Sequence, residues 1–160
     1  MSDRTDSTKV LIVGAGVAGR MVAEEMGGHP EQGYEVVGFL DDDPEKTGSE
    51  IVGAPVLGDI SDLAAIARQQ GADQIIIAIP SASGRTVREV VSLCEDAGRP
   101  FKIVPGVWEI ISGDVTISQI RPVELEDLLG RETVVLDTAE MRSYLAGNTV
   151  LVTGAGGSIG

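Results

Sequence analysis

The run QIIIAIP at residues 74–80 constrains the fold of this chain more than any other stretch. Five consecutive apolar residues stand between Gln74 and Pro80, a pattern typical of a strand that is buried on both faces. Such strands lie in the middle of parallel sheets, whose crossover connections are usually helices. The run therefore predicts an α/β domain with helices on both faces of an open sheet.

The rest of the first part of the chain fits this prediction. Apolar runs alternate with segments of helical period, and turn residues separate them. Ser61 is the expected N-cap and Gly71 the expected C-cap of the second helix. The five predicted strands cover residues 9–13, 35–40, 55–57, 74–79 and 101–104, and the helices cover residues 17–26, 61–70 and 85–97. We expect a domain over residues 8–105, after a disordered terminus of residues 1–7.

A partly structured extension follows the domain. Residues 106–148 contain VTISQI, which alternates like an edge strand, a short helix that ends at Gly130, and a capped helix that ends at Gly147. This connecting segment is too short for a core of its own, so it packs against something absent or reaches back over the first domain. Trp108 is either an interface anchor or packed on its own domain.

Net charge and cysteine content indicate which classes of partner and which cellular compartment suit this chain. A net charge of −13 repels phosphate backbones and anionic lipids, so we expect neither nucleic acid nor membrane as a partner. Cys94 is the single cysteine, which excludes an internal disulfide and favours the cytoplasm. Its position predicts a core residue rather than a nucleophile, and His29 is expected in a solvated turn. We predict no metal site.

A glycine fingerprint follows the first predicted strand. Gly14, Gly16 and Gly19 form G-x-G-x-x-G at the start of a helix. The first glycine permits a tight turn, the second lets a diphosphate approach the backbone, and the third lets the helix pack on the strand. The helix N-terminus, with Val17 and Ala18, offers backbone N–H groups to phosphates. These signals predict a Rossmann-like, mostly parallel five-stranded sheet that binds a nucleotide.

An acidic turn ends the second predicted strand. Asp41 lies 22 residues after Gly19, where a carboxylate can accept hydrogen bonds from the ribose hydroxyls of NAD. This placement favours NAD(H) over NADP, because a 2′-phosphate would be repelled. Asp42 is the alternative ribose ligand. The alternative, which we favour less, is that the three aspartates are only an acidic turn before Pro44.

The loop after the central strand is the second candidate wall of the site. Pro80, Ser81, Ser83 and Gly84 follow the carboxyl end of that strand, where open α/β sheets bind ligands. Ser83 is also explained as a simple helix N-cap.

The chain resembles, from Lys9 to Gly160, the amino-terminal portion of the CapD-like nucleoside-diphosphate-sugar 4,6-dehydratases and epimerases of polysaccharide biosynthesis. The stretches that carry the resemblance are VLIVGAGVAGR, EVVGFLDDDP, GAPVLGDI, IIIAIPSASG, KIVPGVWEIISG, ISQIRPVELEDLLGRE and VLVTGAGGSIG. Gly154, Gly157 and Gly160 match the turn that opens the NAD(P)-binding catalytic domain of that family. Residues 149–160 are therefore expected to begin a catalytic domain whose remainder is the missing partner.

The resemblance implies an accessory domain that binds NAD(H), or a UDP-sugar as the second candidate, without catalysing a reaction. The Tyr-x-x-x-Lys pair common in short-chain dehydrogenases is absent, because Gly38 and Asn148 stand four residues after Tyr34 and Tyr144. Two alternatives stay open: a structural or homo-oligomerisation module with an empty cleft, and a sensor of the NADH/NAD ratio. We expect strand 149–153 to be disordered or borrowed by another sheet edge.

Overall fold

The structure, a computed structural model, describes residues 7–106 and 116–129. The strands in these ranges are β1 Thr8–Val13, β2 Tyr34–Leu40, β3 Glu50–Ile51, β4 Ala54–Gly58, β5 Gln74–Ile77 and β6 Phe101–Ile103. The α-helices are α1 Val17–Gly28, α2 Leu63–Gln70, α3 Gly84–Ala97 and α4 Leu125–Leu129. Short 3-10 turns cover Pro30–Gln32, Ile60–Asp62 and Ile117–Gln119.

One mostly parallel sheet has the order β3-β4-β2-β1-β5-β6. In the described ranges, the hairpin of β3 and β4 is the only pair of strands that runs antiparallel. The predicted α/β class is confirmed, but the count of five strands is wrong by one. The additional strand, β3, has two residues and is too short for any periodicity to reveal it.

Helices cover both faces of the sheet, as predicted. Alternate residues of β1 point to opposite faces: Val10 and Ile12 pack with α1, while Leu11 and Val13 pack with α2 and α3. All four are fully buried. This two-sided burial explains why the central strands are continuous apolar runs.

Three local predictions need correction. The strand after Gln74 ends at Ile77, because the chain turns into the loop that begins at Ala78. Ser61 does not cap the second helix: the Asp59 carboxylate accepts its backbone N–H and starts a 3-10 turn instead. Gly71, at φ 63°, does end the helix. Residues 117–119 form a 3-10 turn rather than an edge strand, because the Gln119 side chain accepts the backbone N–H of Thr116.

Residues 116–129, which we call the strap, reach back over the edge of the sheet at β6. Arg121 and Ile103 exchange backbone hydrogen bonds of 3.2 and 2.8 Å in an antiparallel bridge. Ile120 is buried in the core on the α1 face, whereas Leu128 packs on the opposite face. The strap therefore crosses from one face of the sheet to the other and covers the β6 edge.

The second helix predicted in the extension, Trp108, strand 149–153 and the glycines at 154, 157 and 160 lie outside the described residues. Within residues 7–106 and 116–129, no helix has the length and apolar character needed to cross a membrane.

Candidate nucleotide-binding site

An open cleft of about 360 Å³ lies at the carboxyl ends of β1, β2 and β5. The chain leaves β1 through α1 toward β2, whereas β5 pairs with β1 from the other side. Strand order reverses at this point, which is where open α/β sheets bind ligands. The lining residues are Gly14, Gly16, Val17, Ala18, Asp41, Ala78, Ile79, Pro80, Ser81 and Ala82.

The three glycines of the fingerprint have different surroundings. Gly14 has φ +105°, and a side chain there would overlap the carbonyl group of Ala78. A side chain on Gly19 would overlap the carbonyl oxygen of Gly14, so the third glycine packs the helix onto the turn. Nothing lies within 4 Å of the position that a Cβ of Gly16 would take. The second glycine therefore leaves open space at the cleft.

The N-terminus of α1 faces the cleft without a side-chain cap. Gly16 is the N-cap residue, and the first turn contains no acidic residue. The first intrahelical bond runs from Arg20 N–H to the Gly16 carbonyl at 3.0 Å, so the N–H groups of Val17 and Ala18 precede it. These donors and the positive end of the helix dipole suit a phosphate group.

Asp41 joins the end of β2 to the glycine turn. Its Oδ2 accepts the backbone N–H of Ala15 at 2.8 Å, and its Oδ1 accepts the backbone N–H of Asp43 at 3.0 Å. The Lys46 ammonium lies 3.0 Å from both oxygens. Burial opposes ionisation of Asp41, but the bonds from Ala15, Asp43 and Lys46 outweigh it, so its pKa lies below the ordinary value.

The loop of residues 78–82 forms the opposite wall. Ala78 N–H donates to the Val13 carbonyl at 2.8 Å and fixes this loop to the end of β1. Ser83 acts as the N-cap of α3, because its Oγ accepts the backbone N–H of Thr86 at 3.2 Å. Ser83 and Gly84 lie beyond the lining of the cleft.

The structure brings seven of the predicted residues to the cleft: Gly14, Gly16, Val17, Ala18, Asp41, Pro80 and Ser81. Gly19 is buried behind the turn, and Asp42 is exposed outside the lining. Sequence reasoning missed Ala78, Ile79 and Ala82 as lining residues, since apolar side chains carry no chemical signal of ligand binding. It also missed Lys46, which reaches Asp41 through a folded loop.

No group of three or more His, Cys, Asp or Glu side chains is arranged to hold a metal ion in the parts of the chain that the structure describes. The cleft therefore offers backbone N–H groups, one carboxylate and an apolar wall to a ligand.

The fold and the cleft define a Rossmann-like nucleotide-binding domain. Residues 2–105 match the family described as the CoA-binding domain, and the chain belongs to that family.

Two relatives that the chain matches over nearly its whole length are named as polysaccharide biosynthesis proteins. The chain is 41% identical over 157 residues to the probable polysaccharide biosynthesis protein EpsC of Bacillus subtilis, covering 98% of this chain and 26% of that protein. It is 34% identical over 161 residues to the capsular polysaccharide biosynthesis protein CapD of Staphylococcus aureus, covering 100% of this chain and 27% of that protein. The resemblance to the CapD-like group is thus confirmed, and the chain spans about a quarter of these relatives.

Solved structures share the fold. UDP-D-quinovosamine 4-dehydrogenase from Vibrio fischeri aligns with a TM-score of 0.65 and 26% identity, over 78% of this chain and 99% of that chain. By sequence alone, the chain is also similar to the redox-sensing transcriptional repressor Rex 1 of Thermotoga maritima, with 32% identity over 81 residues that cover 51% of this chain and 38% of the repressor. RSP in complex with β-NADH shares the fold at a TM-score of 0.55 and 21% identity, over 87% of this chain and 64% of that chain.

Proposed function

We propose that the cleft binds NAD(H), with a UDP-sugar as the second candidate, as an accessory site of an enzyme that modifies nucleotide sugars for polysaccharide biosynthesis. The observation that carries the proposal is the convergence of an uncapped helix N-terminus, the open space at Gly16 and the Asp41 carboxylate in one cleft. The diphosphate would lie on the N–H groups of Val17 and Ala18. The ribose would lie beside Asp41.

The names of the relatives support this context. EpsC is named a probable polysaccharide biosynthesis protein and CapD a capsular polysaccharide biosynthesis protein, and the solved chain from Vibrio fischeri is named UDP-D-quinovosamine 4-dehydrogenase. We infer that the whole protein is an NAD(P)-dependent nucleotide-sugar dehydratase or epimerase. We expect no turnover from residues 1–160, because they lack the Tyr-x-x-x-Lys pair. A cytoplasmic location and the absence of a nucleic-acid partner stay predictions from composition.

A redox-sensing role is the second candidate function. The observation in its favour is the 32% identity to the Rex repressor of Thermotoga maritima, whose name states that it senses redox state. A sensor must bind NADH and NAD with unequal affinity, since only differential binding shifts a conformational equilibrium.

Thermal unfolding with and without ligand tests the proposal. NAD, NADH, NADP, coenzyme A and UDP-N-acetylglucosamine would each be added near millimolar concentration to the chain and to a Gly16→Val variant. A ligand at a hundred times its dissociation constant adds about 2.7 kcal/mol, or roughly 5 to 10 °C in Tm for a chain of this size. A Cβ atom at this position meets no protein atom within 4 Å, so we expect the valine side chain to obstruct the ligand rather than the fold.

We expect NADH or NAD to raise the Tm of the wild type and not that of Gly16→Val. A shift with the UDP-sugar alone would identify the second candidate, and unequal shifts with NADH and NAD would favour the sensor. A shift with coenzyme A alone would follow the description of the family instead. If no ligand shifts the Tm, the domain is a structural or homo-oligomerisation module.

A further inference from the structure

The ion pair of Asp41 and Lys46 lies where the proposed function puts the ribose. The Asp41 side chain is 14% exposed and lines the cleft, and that of Lys46 is 37% exposed. A carboxylate has about four acceptor positions, two on each oxygen. Backbone N–H groups of Ala15 and Asp43 use one position on each oxygen, and the Lys46 ammonium contacts both oxygens at 3.0 Å.

All four acceptor positions of Asp41 are therefore occupied. Ala15 and Asp43 belong to the main chain of two turns, so their hydrogen bonds cannot move aside without unfolding those turns. Lys46 is the only one of these partners on a flexible side chain. A ribose hydroxyl that donates to Asp41 must displace the ammonium.

The backbone around Lys46 is fixed in front of Asp41. Lys46 N–H donates to the Asp43 carbonyl at 3.1 Å, and its own carbonyl accepts from Ser49 N–H at 2.9 Å and from Ser49 Oγ at 2.6 Å. Gly48 N–H donates to the Val56 carbonyl of β4 at 2.8 Å, which anchors the loop to the sheet. The loop thus presents the ammonium to Asp41 from an ordered turn.

We propose that Lys46 determines how strongly the cleft selects a ribose, because its ammonium holds the acceptor positions of Asp41 that a ribose 2′-hydroxyl would use. This inference rests on the proposed function. Lys46 is a specificity-determining residue in this assignment: it weakens the selection of ribose over deoxyribose. The released ammonium can donate to the diphosphate or to water.

Removal of Lys46 also takes a positive charge away from the cleft, and the experiment must distinguish this effect from the release of the Asp41 acceptor positions. The loop would keep the carboxylates of Asp41, Asp42, Asp43 and Glu45 without the ammonium, so every anionic nucleotide would bind less tightly. Two ligands of equal charge that differ in one hydroxyl cancel this effect.

The experiment measures the ratio of the dissociation constants of 2′-deoxy-ADP and ADP by titration calorimetry. UDP and 2′-deoxy-UDP form a second pair in case the cleft takes uridine nucleotides. The proteins are the wild type, Lys46→Met and Lys46→Gln. Lys9→Met is the matched control, because it removes the same charge at the start of β1, at the opposite end of the strand from the cleft.

We expect a ratio below about two in the wild type and Lys9→Met, and about ten in both Lys46 variants, since a hydrogen bond to a charged group is worth roughly a factor of ten or more. A ratio near ten in the wild type that Lys46→Met leaves unchanged would overturn the inference and leave the proposed function standing. Ratios near one in every variant would overturn it likewise. If none of these nucleotides binds to any variant, the inference is overturned, and the proposed function fails with it where NAD(H) and the UDP-sugar also leave the Tm unchanged.

Discussion

The Asp41 carboxylate accepts the backbone N–H of Ala15 at 2.8 Å and so ties the end of the second strand to the glycine turn after the first. Ala15 is buried, and its N–H has no strand partner at this point of the turn. Asp41 is thus a structural element of the cleft before any ligand arrives. Its role in folding and its proposed role toward ribose use the same two oxygens.

Asp41→Asn should lower the free energy of unfolding at pH 7 by at least about 1 kcal/mol. The asparagine oxygen can still accept from Ala15, but its NH2 group cannot accept from Asp43, and the ion pair with Lys46 is lost. The pKa of Asp41 is lower in the folded protein than the ordinary value of 3.8. Its contribution is therefore present above that ordinary value and is lost as the pH falls through the lower, folded value. Urea unfolding from pH 7 to pH 2.5 should show the wild type and the variant converging in acid. A difference that does not vary with pH would contradict this account.

Gly19→Ala should destabilise the fold by roughly 3 kcal/mol, because its methyl group would overlap the main-chain oxygen of Gly14 and push the helix from the sheet. Gly16→Ala is the matched control three residues earlier. It should cost under about 1 kcal/mol, since its methyl group meets open space and only the N-cap changes. Chemical denaturation measures both. Equal decreases in the free energy of unfolding would mean that Gly19 does not pack closely on the Gly14 carbonyl oxygen.

Val52→Asn should stabilise the protein by ~1 kcal/mol. Val52 and Gly53 form the two-residue loop between β3 and β4, and both have positive φ, at 50° and 78°. A β-branched residue is strained there, whereas asparagine followed by glycine is the preferred sequence for such a loop. Val52 is 45% exposed, so little burial is lost. The midpoint of urea unfolding should rise, and Gly53→Ala should lower it. A lower midpoint for Val52→Asn would show that the contacts of the valine side chain stabilise the fold by more than its backbone strain costs.

Cys94 should react with a thiol reagent only when the protein unfolds. Burial raises the pKa of its thiol to about 12, with a further contribution from Glu95, so the reactive thiolate is scarce in the folded state. The chain has one cysteine, so a thiol reagent that releases a coloured product on reaction reports on this site alone. At pH 8 the labelling rate should rise with urea in parallel with unfolding. Rapid labelling without urea would indicate that α3 opens locally.

The apolar pattern of the sequence predicted most of the sheet. Ile75–Ile77 and Leu11–Val13 are apolar at every position because both faces of these strands are buried, and that burial leaves a direct mark on composition. The glycine turn was also predictable, since a positive φ at Gly14 and close packing at Gly19 exclude other residues.

Other features depend on contacts that sequence spacing does not encode. β3 exists because β4 pairs with it, and its two residues carry no period of their own. Ser61 fits the N-cap pattern, yet Asp59 bonds to its N–H and shifts the start of the helix to Leu63. Lys46 looks like a solvated loop residue until the turn at Ser49 directs it to Asp41.

The strap has a consequence for how this unit combines with other domains. One end of the described sheet is a strand of two residues, and residues 116–129 lie across the other end. In the part of the chain that the structure describes, neither end offers a long row of free backbone groups to which a neighbour could add a strand. A unit of this kind can be inserted beside different neighbours without merging its sheet with theirs. The part of the chain that aligns with the solved structure from Vibrio fischeri, 78% of its residues, covers 99% of that chain, while the matches to EpsC and CapD cover about a quarter of those proteins.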